Sequence, residues 1–462
     1  MKKYKTSIFI FRRDLRLDDN ITLLQALSES EKVISCFIFD PRQVGISNSF
    51  KSKNCIQFMI ESLKNLDEQL KQKKGKLYIF NGIAEKVVER LIKQETIEAI
   101  YVNADYTPFS IKRDNAIKRI CLRQKIKFIS CDDLLLNAPE KIKKQDGTPY
   151  SIFSAFYKRS IRETIAIPKI CRKKNFYIHA IRGSQTPMIY KKFLKKENPN
   201  LHVNGGTQEA KKLIGNITRL KSYTKTKDFP AIETSNLSAH LKFGTISIRQ
   251  TYHSIGKKLG KDHPLIKQLY WRDFFTHIAY NSPFVFGQAY YKKYNKLWWS
   301  KSKTNFKKWC NGKTGFPVVD AGMRQLNKTG FMHNRVRMIA ASFLTKDLHI
   351  NWTWGEKYFA QQLVDYDPSV NNGNWQWSAS TGCDAQPYFR IFNPWLQQKK
   401  FDPECMYIKK WVPELKNIDN QIIHSWFKDT HDSIHNYPTP MVDHAIESHK
   451  AKMLYKEITN KQ

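Results

Sequence analysis

Residues 365–397 read DYDPSVNNGNWQWSASTGCDAQPYFRIFNPWLQ. A helix that packs on one face repeats apolar residues every three or four positions, and this stretch has no such period. Polar amides and acids alternate here with large aromatic rings. That mixture is typical of a protein segment that encloses a polar, planar ring system, so the stretch predicts a binding site for such a ligand.

The composition excludes several classes of protein. Lys and Arg outnumber Asp and Glu by 78 to 41 among the 462 residues, a formal net charge of +37. Lysine-rich coding bias can supply part of this charge, but a chain this basic is drawn to phosphate backbones, so we expect a nucleic-acid partner. No run of 18 apolar residues occurs, which excludes a membrane span. The eight cysteines include no CxxC pair, which favours reduced thiols and no metal site.

Residues 1–130 alternate between strand and helix patterns. The pattern between the second and third strands, from Ile56 to Leu70, has helical spacing, and Gly75 is placed to end that helix. Strands separated by helices predict a doubly wound parallel sheet. The loop after the first strand lacks the GxGxxG of dinucleotide-binding folds, so NAD binding is disfavoured. The predicted strands are Thr6–Phe11, Val33–Phe39, Leu77–Phe80, Glu98–Val102 and Lys127–Ile129.

The remaining residues form a connection and a helical domain. Residues 131–199 are rich in Lys, Pro and turn dipeptides, and residues 200–462 follow mostly helical patterns. All eleven tryptophans lie at position 271 or later, which places any aromatic chemistry in the helical domain. We interpret four of them as core residues, namely Trp309, Trp395, Trp411 and Trp426.

Four blocks of the C-terminal half resemble the DNA photolyase/cryptochrome family. They follow the family's order over residues 223–397, and FRRDLRLDDN at 11–20 and DGTPYSIF at 146–153 fit the family as well. The resemblance implies an α/β domain followed by a mostly α-helical FAD-binding domain. The blocks are Tyr223 with TSNLS at 234–238, QLYWRDFF at 268–275, GKTGFPVVDAGMRQLNKTGFMHNRVRMIAASFL at 312–344, and the stretch from residue 365.

The resemblance implies a bound FAD. Hydroxyls and N–H groups at 234–238, where a helix opens, suit an anion such as the FAD phosphates. Arg337 is expected to pair with Asp365 beside the flavin, and Asn371 is expected near flavin N5. The full set of implied cofactor residues is Tyr223, Thr234, Ser235, Asn236, Leu237, Ser238, Arg272, Arg337, Asp365, Tyr366, Asp367 and Asn371.

The resemblance also assigns electron-transfer, DNA-binding and catalytic residues. Trp375, Trp352 and Trp299 match the family's electron-transfer tryptophans by motif context. The implied DNA-binding residues are Lys227, Gln268, Trp271, Arg272, Asn334, Arg335, Trp377 and Gln397. The implied catalytic residues are Gln268, Asn334, Met338 and Asn371.

Asn334 and Met338 indicate which branch of the family the chain resembles. Photolyases for cyclobutane pyrimidine dimers carry Asn and Met at these places, whereas (6-4) photolyases and animal cryptochromes carry histidine at the first. The class I bacterial type of cyclobutane dimer photolyase therefore fits best, with a blue-light receptor or a (6-4) photolyase as alternatives. Gln268 departs from the usual glutamate, and since an amide cannot share a proton, we expect weaker stabilisation of the dimer radical anion.

The implied reaction is light-dependent DNA repair by a carbon–carbon lyase. The dimer is flipped out of the duplex, as is general for enzymes that do chemistry on a base, and photoexcited reduced FAD transfers an electron that splits it into two pyrimidines. We also expect a second, antenna chromophore of folate or deazaflavin type. Folate-type members of the family often have a glutamate near residue 109, and the run DYTPFS at 105–110 lacks it, which weakens the folate assignment without selecting another ligand. We expect a monomer in the cytoplasm that associates with the nucleoid when it binds DNA.

Overall fold

The structure is a computed structural model that describes residues 2–428 and 436–460. The chain divides into two compact units. Unit 1 comprises Met1–Pro199, Val203–Lys221 and Ser235–Pro283, and unit 2 comprises Asn200–His202, Ser222–Thr234 and Phe284–Gln462. The boundaries expected from the sequence at residues 130 and 199 stay a prediction.

Unit 1 is built on a five-stranded parallel sheet. The spatial order β3-β2-β1-β4-β5 means that the chain winds outward from β1 in both directions. Each predicted strand overlaps an observed one, so the doubly wound parallel sheet is confirmed. The strands are β1 (Tyr4–Phe11), β2 (Ser30–Phe39), β3 (Leu77–Asn81), β4 (Ala99–Asn103) and β5 (Lys127–Cys131).

Helices cover this sheet because its strands are apolar on both faces. Ile8, Ile34, Phe80 and Ile100, one residue from each of β1 to β4, are completely buried. The helices of unit 1 are Ile21–Glu29, Pro41–Val44, Lys53–Gln72, Ala84–Gln94, Pro108–Arg123, Phe153–Ser160, Ile189–Phe193, Thr207–Gly215, Ser238–Phe243, Ile248–Leu259 and Pro264–Asn281, with a 3₁₀ turn at Ile217–Leu220.

The helix Lys53–Gln72 ends differently from the sequence expectation. The N–H of Gly75 does close the last turn, donating to the carbonyl of Leu70 at 2.8 Å. The residue in the left-handed conformation, however, is Lys74, with φ 55°. A Cβ at Gly75 would lie 2.9 Å from the side chain of Phe176. Glycine is therefore needed here for close packing of two segments, not for the turn.

A buried charge network joins segments of unit 1 that are distant in the sequence. Arg249 donates to Asp19 at 3.0 Å and to Asp133 at 2.7 Å, and Arg16 donates to Asp133 at 2.6 Å. All four side chains are at most 6% exposed. Burial alone would disfavour the Asp133 carboxylate, but the two arginines outweigh it and hold its pKa below the usual range. The network fixes the loops after β1 and β5 to the helix Ile248–Leu259.

Unit 2 is helical, as predicted. Its core contains Trp309, Trp395 and Trp426, all buried, and Trp411 packs against that core half-buried. Its α-helices are Tyr223–Thr226, Lys303–Cys310, Pro317–Thr329, Asn334–Ser342, Trp352–Gln362, Pro368–Ser378, Pro394–Phe401, Met406–Trp411, Asn420–His424 and His444–Asn460. A π-helical turn spans Phe343–Asp347, and 3₁₀ turns span Pro283–Val285 (which begins on the last residue of unit 1), Lys292–Lys296 and Pro413–Leu415.

The described residues contain no helix that is both long enough and apolar enough to cross a bilayer. All eight cysteines are free thiols in the structure, six of them buried.

Candidate functional site

Helix Asn334–Ser342 and the loop before Pro368 place a guanidinium beside a carboxylate. Arg337 donates to Asp365 through Nη2 at 2.9 Å and Nη1 at 3.3 Å, while its Nε donates to the carbonyl of Met332 at 2.8 Å. The Asp365 side chain is 5% exposed and that of Arg337 is 25% exposed. The structure thus brings together the two residues that were expected to pair, in a fixed two-bond geometry.

The helix Pro368–Ser378 begins at a carboxylate. Asp367 Oδ1 accepts from the N–H groups of Ser369 at 3.1 Å and Val370 at 3.3 Å, and Pro368 occupies the first helical position. Both features are typical of a helix start. The cap fixes where the helix begins and therefore where Asn371, one turn further on, is held.

Glu356 bonds to two neighbouring asparagines, to Asn371 through its main chain and to Asn372 through its carboxyl group. Asn371 Nδ2 donates to the main-chain carbonyl of Glu356 at 3.1 Å, and Asn372 Nδ2 donates to Glu356 Oε1 at 2.9 Å. Glu356 is 6% exposed, and this burial raises its pKa to about 7, opposed by the hydrogen bond from Asn372. Sequence reasoning missed Glu356, because a single acid in an amphipathic helix gives no sign that it is buried.

The three predicted electron-transfer tryptophans lie in the hydrophobic core of unit 2. Trp352 and Trp375 are buried, and Trp299 packs against the same core half-buried. The ring of Trp375 lies 6.1 Å from Trp309 and 4.9 Å from Phe359, centroid to centroid. The core residue Trp309 therefore contacts Trp375 directly.

A glycine makes room for Trp375. A Cβ at Gly355 would lie only 2.1 Å from the Trp375 ring. The absence of a side chain at this position lets the helices Trp352–Gln362 and Pro368–Ser378 approach closely.

Asn334 and Met338 lie one turn apart on helix Asn334–Ser342. Asn334 is exposed and Met338 is half-buried, and Asn334 Nδ2 lies 3.7 Å from Met338 Sδ. The structure thus brings together two of the predicted catalytic residues, an amide and a polarisable thioether, on the same part of the surface of unit 2.

Arg335 and Lys227, two predicted DNA-binding residues, share a carboxylate that sequence reasoning missed. Arg335 Nη2 lies 2.7 Å from Asp228 Oδ1, and Lys227 Nζ lies 3.4 Å from Asp228 Oδ2. Arg335 also lies over the ring of Phe401 at 4.4 Å. Burial works against ionisation of Asp228, but Arg335 holds the pKa of this carboxyl below its usual range. Adjacent Lys and Asp residues are common in loops, so nothing in the sequence marks this carboxylate.

Gln397 and Trp377 are half-buried residues of unit 2. The Oε1 atom of Gln397 is buried and has no hydrogen-bond donor among the described residues. Buried acceptors are rarely left without a donor, so this position is one that a ligand can complete.

The predicted site residues on helix Pro264–Asn281 of unit 1 differ in their exposure and in the groups that they contact. Gln268 is exposed on helix Pro264–Asn281. Trp271 stacks face to face on Phe153, with centroids 3.6 Å apart, so one face of its indole is covered. Arg272 donates to the carbonyls of Leu134 at 2.9 Å and Leu241 at 3.3 Å. The roles expected for Trp271 and Arg272 stay predictions.

The boundary between the two units falls within residues 234–238: Thr234 belongs to unit 2 and Ser235 to unit 1. Asn236 adopts a left-handed conformation with φ 55°, and exposed Ser238 begins the helix Ser238–Phe243, which follows buried Leu237. Upstream, burial raises the pKa of the Tyr223 phenol to about 12. Tyr366 packs against the core of unit 2 next to Asp365. The cofactor contacts expected for these residues stay predictions.

A cleft of about 480 Å³ lies in unit 1, just after β4. The rings of Tyr106 and Tyr280 meet edge to face at 5.7 Å, and Lys112 and Arg119 add positive charge. Aromatic walls with basic side chains fit a planar ligand that carries anionic groups. The cleft is lined by Tyr106, Pro108, Ile111, Lys112, Asn115, Arg119, Ala279, Tyr280 and Pro283.

Two family models match the chain. The model described as DNA photolyase matches residues 7–171, and the FAD-binding domain of DNA photolyase matches residues 265–457. Among curated relatives, the deoxyribodipyrimidine photo-lyase of Alkalihalophilus pseudofirmus is 35% identical over 96% of this chain and 97% of its own length. The enzyme of the same name from Escherichia coli is 32% identical over 95% of this chain and 96% of its own length.

Solved structures show the same similarity. The crystal structure of an archaeal photolyase from Sulfolobus tokodaii with two FAD molecules has a TM-score of 0.89 and 43% identity, over 98% of this chain and all of that one. A bacterial class III photolyase from Agrobacterium tumefaciens has a TM-score of 0.91 and 31% identity, over 100% of this chain and 98% of that one. A cryptochrome from Synechocystis has a TM-score of 0.88 and 28% identity, over 98% of this chain and all of that one. This chain belongs to the photolyase/cryptochrome family.

Proposed function

We propose that this protein is a light-dependent DNA-repair enzyme that splits cyclobutane pyrimidine dimers, that is, a deoxyribodipyrimidine photo-lyase. The observation that carries the proposal is similarity over almost the full length to curated enzymes of that name, at 32–35% identity. The side chains of unit 2 agree with that chemistry.

The donor set of unit 2 fits a flavin. The Arg337–Asp365 pair offers a cation and a carboxylate side by side, which suits the polar edge of an isoalloxazine and its N–H groups. Asn371 adds a neutral amide held by Glu356, so no ionised side chain is brought to the ring there. When bound, reduced FAD supplies an electron on absorbing light, and the side chains hold the ring and exclude water from it.

The helical turn with Asn334 and Met338 fits a pyrimidine dimer. An amide can both donate to and accept from pyrimidine edges, and a thioether packs against their faces. Because residue 334 is not histidine, this turn offers no imidazolium to protonate a (6-4) photoproduct. Gln268, Trp377 and Gln397 are proposed to contact the DNA as well, and Trp375, Trp352 and Trp299 to conduct electrons to the flavin.

We propose the cleft beside Tyr106 and Tyr280 as the site of the second chromophore. The sequence left a folate and a deazaflavin open, and the Sulfolobus photolyase, with its two FAD molecules and the light-harvesting cofactor they imply, adds a flavin to the candidates. Chromatography of the chromophores released from purified protein identifies the ligand. Replacing Lys112 and Arg119 by Glu is expected to remove that ligand while the catalytic FAD stays bound; equal loss of both would exclude this cleft.

The finer assignments of class, assembly and location belong to the same proposal. We propose a class I-type enzyme that acts as a monomer in the cytoplasm and on the nucleoid, with an α/β domain at 1–130, a connection at 131–199 and a catalytic domain at 200–462. Size-exclusion chromatography with light scattering tests the monomer.

The test of the proposed function is repair of a synthetic oligonucleotide that carries one thymine dimer. We expect blue light to restore the intact sequence, no repair in the dark, and no repair of an oligonucleotide with a (6-4) photoproduct. Asn334→Ala is expected to lower dimer repair while the flavin absorbance stays unchanged.

Two results would overturn the proposal. A protein with bound flavin and no repair activity would be a light receptor of the cryptochrome type. A protein without flavin absorbance that still binds DNA would be a non-catalytic binding protein.

A further inference from the structure

A strongly basic surface lies in unit 1, where three segments meet around the buried ring of Phe176. Val33 at the start of β2 pairs with Phe176, and the backbone of residues 175–177 bonds to Val33 on both sides, at 3.0 and 2.9 Å. Gly75, just before β3, packs directly against the same ring. Three separate parts of the chain are thereby held together at one place.

Each of these segments carries exposed cations. We call the following six residues the basic edge: Lys32, Lys74, Lys76, Arg172, Lys173 and Lys174. All six are exposed, and none forms an ion pair with any residue that the structure describes. Positive charges are therefore gathered here against their mutual repulsion.

The local sequence is more basic than the composition of the chain explains. Residues 164–196 contain nine Lys or Arg and no Asp or Glu, whereas the whole chain has about one acidic residue for every two basic ones, 41 to 78. A general lysine bias would scatter acids through this stretch as well. A block of one sign is typical of a segment that meets an oppositely charged partner.

The basic edge lies at the amino ends of the strands. Lys32 lies near the start of β2, and Lys74 and Lys76 closely precede β3. Ligands of parallel α/β sheets bind at the opposite edge, outside the carboxyl ends of the strands. The ligand site expected for the fold therefore does not account for this surface.

Lysines of this kind suit a phosphate backbone. Five of the six residues are lysines, which act as mobile point charges and do not impose the planar two-bond geometry of arginine. Phe176 and Tyr78 are buried, so they give this surface no aromatic anchor of the kind on which protein partners depend. Contacts of lysine with phosphate position a duplex without reading its sequence.

We propose that the basic edge binds the phosphate backbone of duplex DNA independently of a lesion, as a second contact surface that raises the residence of the enzyme on undamaged DNA. The identity of the polyanion rests on the proposed function. The contact would let the protein stay on the duplex by charge alone while it searches for dimers.

The experiment compares two variants of the full-length holoenzyme with equal change of net charge. The edge variant carries Lys74→Glu, Lys76→Glu, Lys173→Glu and Lys174→Glu. The control variant carries Lys86→Glu, Lys93→Glu, Lys118→Glu and Lys257→Glu, four exposed lysines of unit 1 outside the basic edge. Binding to an undamaged duplex of about 30 base pairs, long enough for several phosphate contacts, is measured by anisotropy at several salt concentrations.

We expect the slope of log affinity against log salt to fall by about 3 to 4 in the edge variant, about 0.9 for each lost phosphate contact, and by less than about 1 in the control. Flavin content, and repair of a dimer oligonucleotide at saturating protein, should be unchanged in both variants. Equal slopes in the two variants would overturn the proposal. Wild-type protein that shows the salt slope but no repair would instead overturn the proposed function alone.

Discussion

Two charge clusters, one in each unit, differ in how far they are enclosed. In unit 1, Arg16, Asp19, Asp133 and Arg249 are at most 6% exposed, and each carboxylate accepts from two or more groups of its own unit. In unit 2, the Arg337–Asp365 pair keeps a quarter of the guanidinium side chain exposed. The first arrangement uses its hydrogen bonds to hold loops in place, whereas the second keeps one partner within reach of a ligand.

This difference separates a structural charge cluster from a functional one. Charges that are enclosed and paired within the protein are costly to bury and cannot exchange partners, so their loss should affect folding. A pair with one reachable member can be completed by a bound molecule, so its loss should affect binding. Substitutions in the two clusters should therefore change different measurements.

The largest effect is expected from Arg249→Met in unit 1. The substitution leaves the buried carboxylates of Asp19 and Asp133 short of a cation, which should lower the free energy of unfolding by about 3–5 kcal/mol. Urea denaturation followed by circular dichroism measures it. Arg123→Met, at an exposed arginine, is the control and should change stability by less than about 0.5 kcal/mol. A loss below about 1 kcal/mol for Arg249→Met would contradict the structural role of the network.

The next largest effect is expected from Glu356, whose main-chain carbonyl accepts a hydrogen bond from Asn371. Burial raises the pKa of Glu356 to about 7, from 4.5, so the folded protein keeps a proton that the unfolded chain releases between these values. The unfolded chain then binds fewer protons, and the free energy of unfolding falls as pH rises from about 4.5 to 7. A shift of this size corresponds to about 3 kcal/mol, and Glu356→Gln should remove that fall.

Urea unfolding of the wild-type protein and Glu356→Gln at about pH 5 and about pH 8, on either side of the transition, measures this pH dependence. The substitution should raise the stability at the higher pH relative to the wild type and leave the two proteins close at the lower pH. Identical pH dependence in both proteins would show that Glu356 is ionised in the folded state.

Asp365→Asn should act mainly on the cofactor. The neutral amide removes the charge that orients Arg337, so we expect the flavin dissociation constant to rise about 10- to 100-fold, which is about 1.4–2.8 kcal/mol. Titration of apoprotein with FAD measures it. Asn374→Ala, at an exposed position of the neighbouring helix Pro368–Ser378, is the matched control. A change of stability as large as that of Arg249→Met, without a change of flavin affinity, would erase the contrast between the clusters.

The smallest effect is expected at Gln268. Because the residue is exposed, Gln268→Glu should change stability by less than about 0.5 kcal/mol. An acid can share a proton with the dimer carbonyls, so the repair yield per absorbed photon should rise, by less than about threefold, or below about 0.7 kcal/mol. Quantum-yield measurement on a thymine-dimer oligonucleotide decides it, and an unchanged or lower yield would remove this side chain from the chemistry.

The strands were predictable because their signal is local. Parallel strands buried on both faces appear as short apolar runs, and all five were found from the sequence. The pairing of Arg337 with Asp365 was predictable only through the family resemblance, since the two residues are 28 positions apart.

The remaining features depend on contacts between distant residues. Arg16 and Asp133 are 117 positions apart, and Arg335 and Asp228 are 107 apart, so no periodicity links them. The burial of Glu356 and the packing of Gly75 against Phe176 follow from how segments meet. Such features belong to tertiary structure, and neither propensity nor spacing contains them.

Gly355 has a consequence for the evolution of this protein. The ring of Trp375 occupies the volume that any side chain at 355 would need, so even a methyl group requires the indole to give way. The two positions should therefore vary together: a relative with alanine or serine at the place of Gly355 should carry a smaller residue at the place of Trp375.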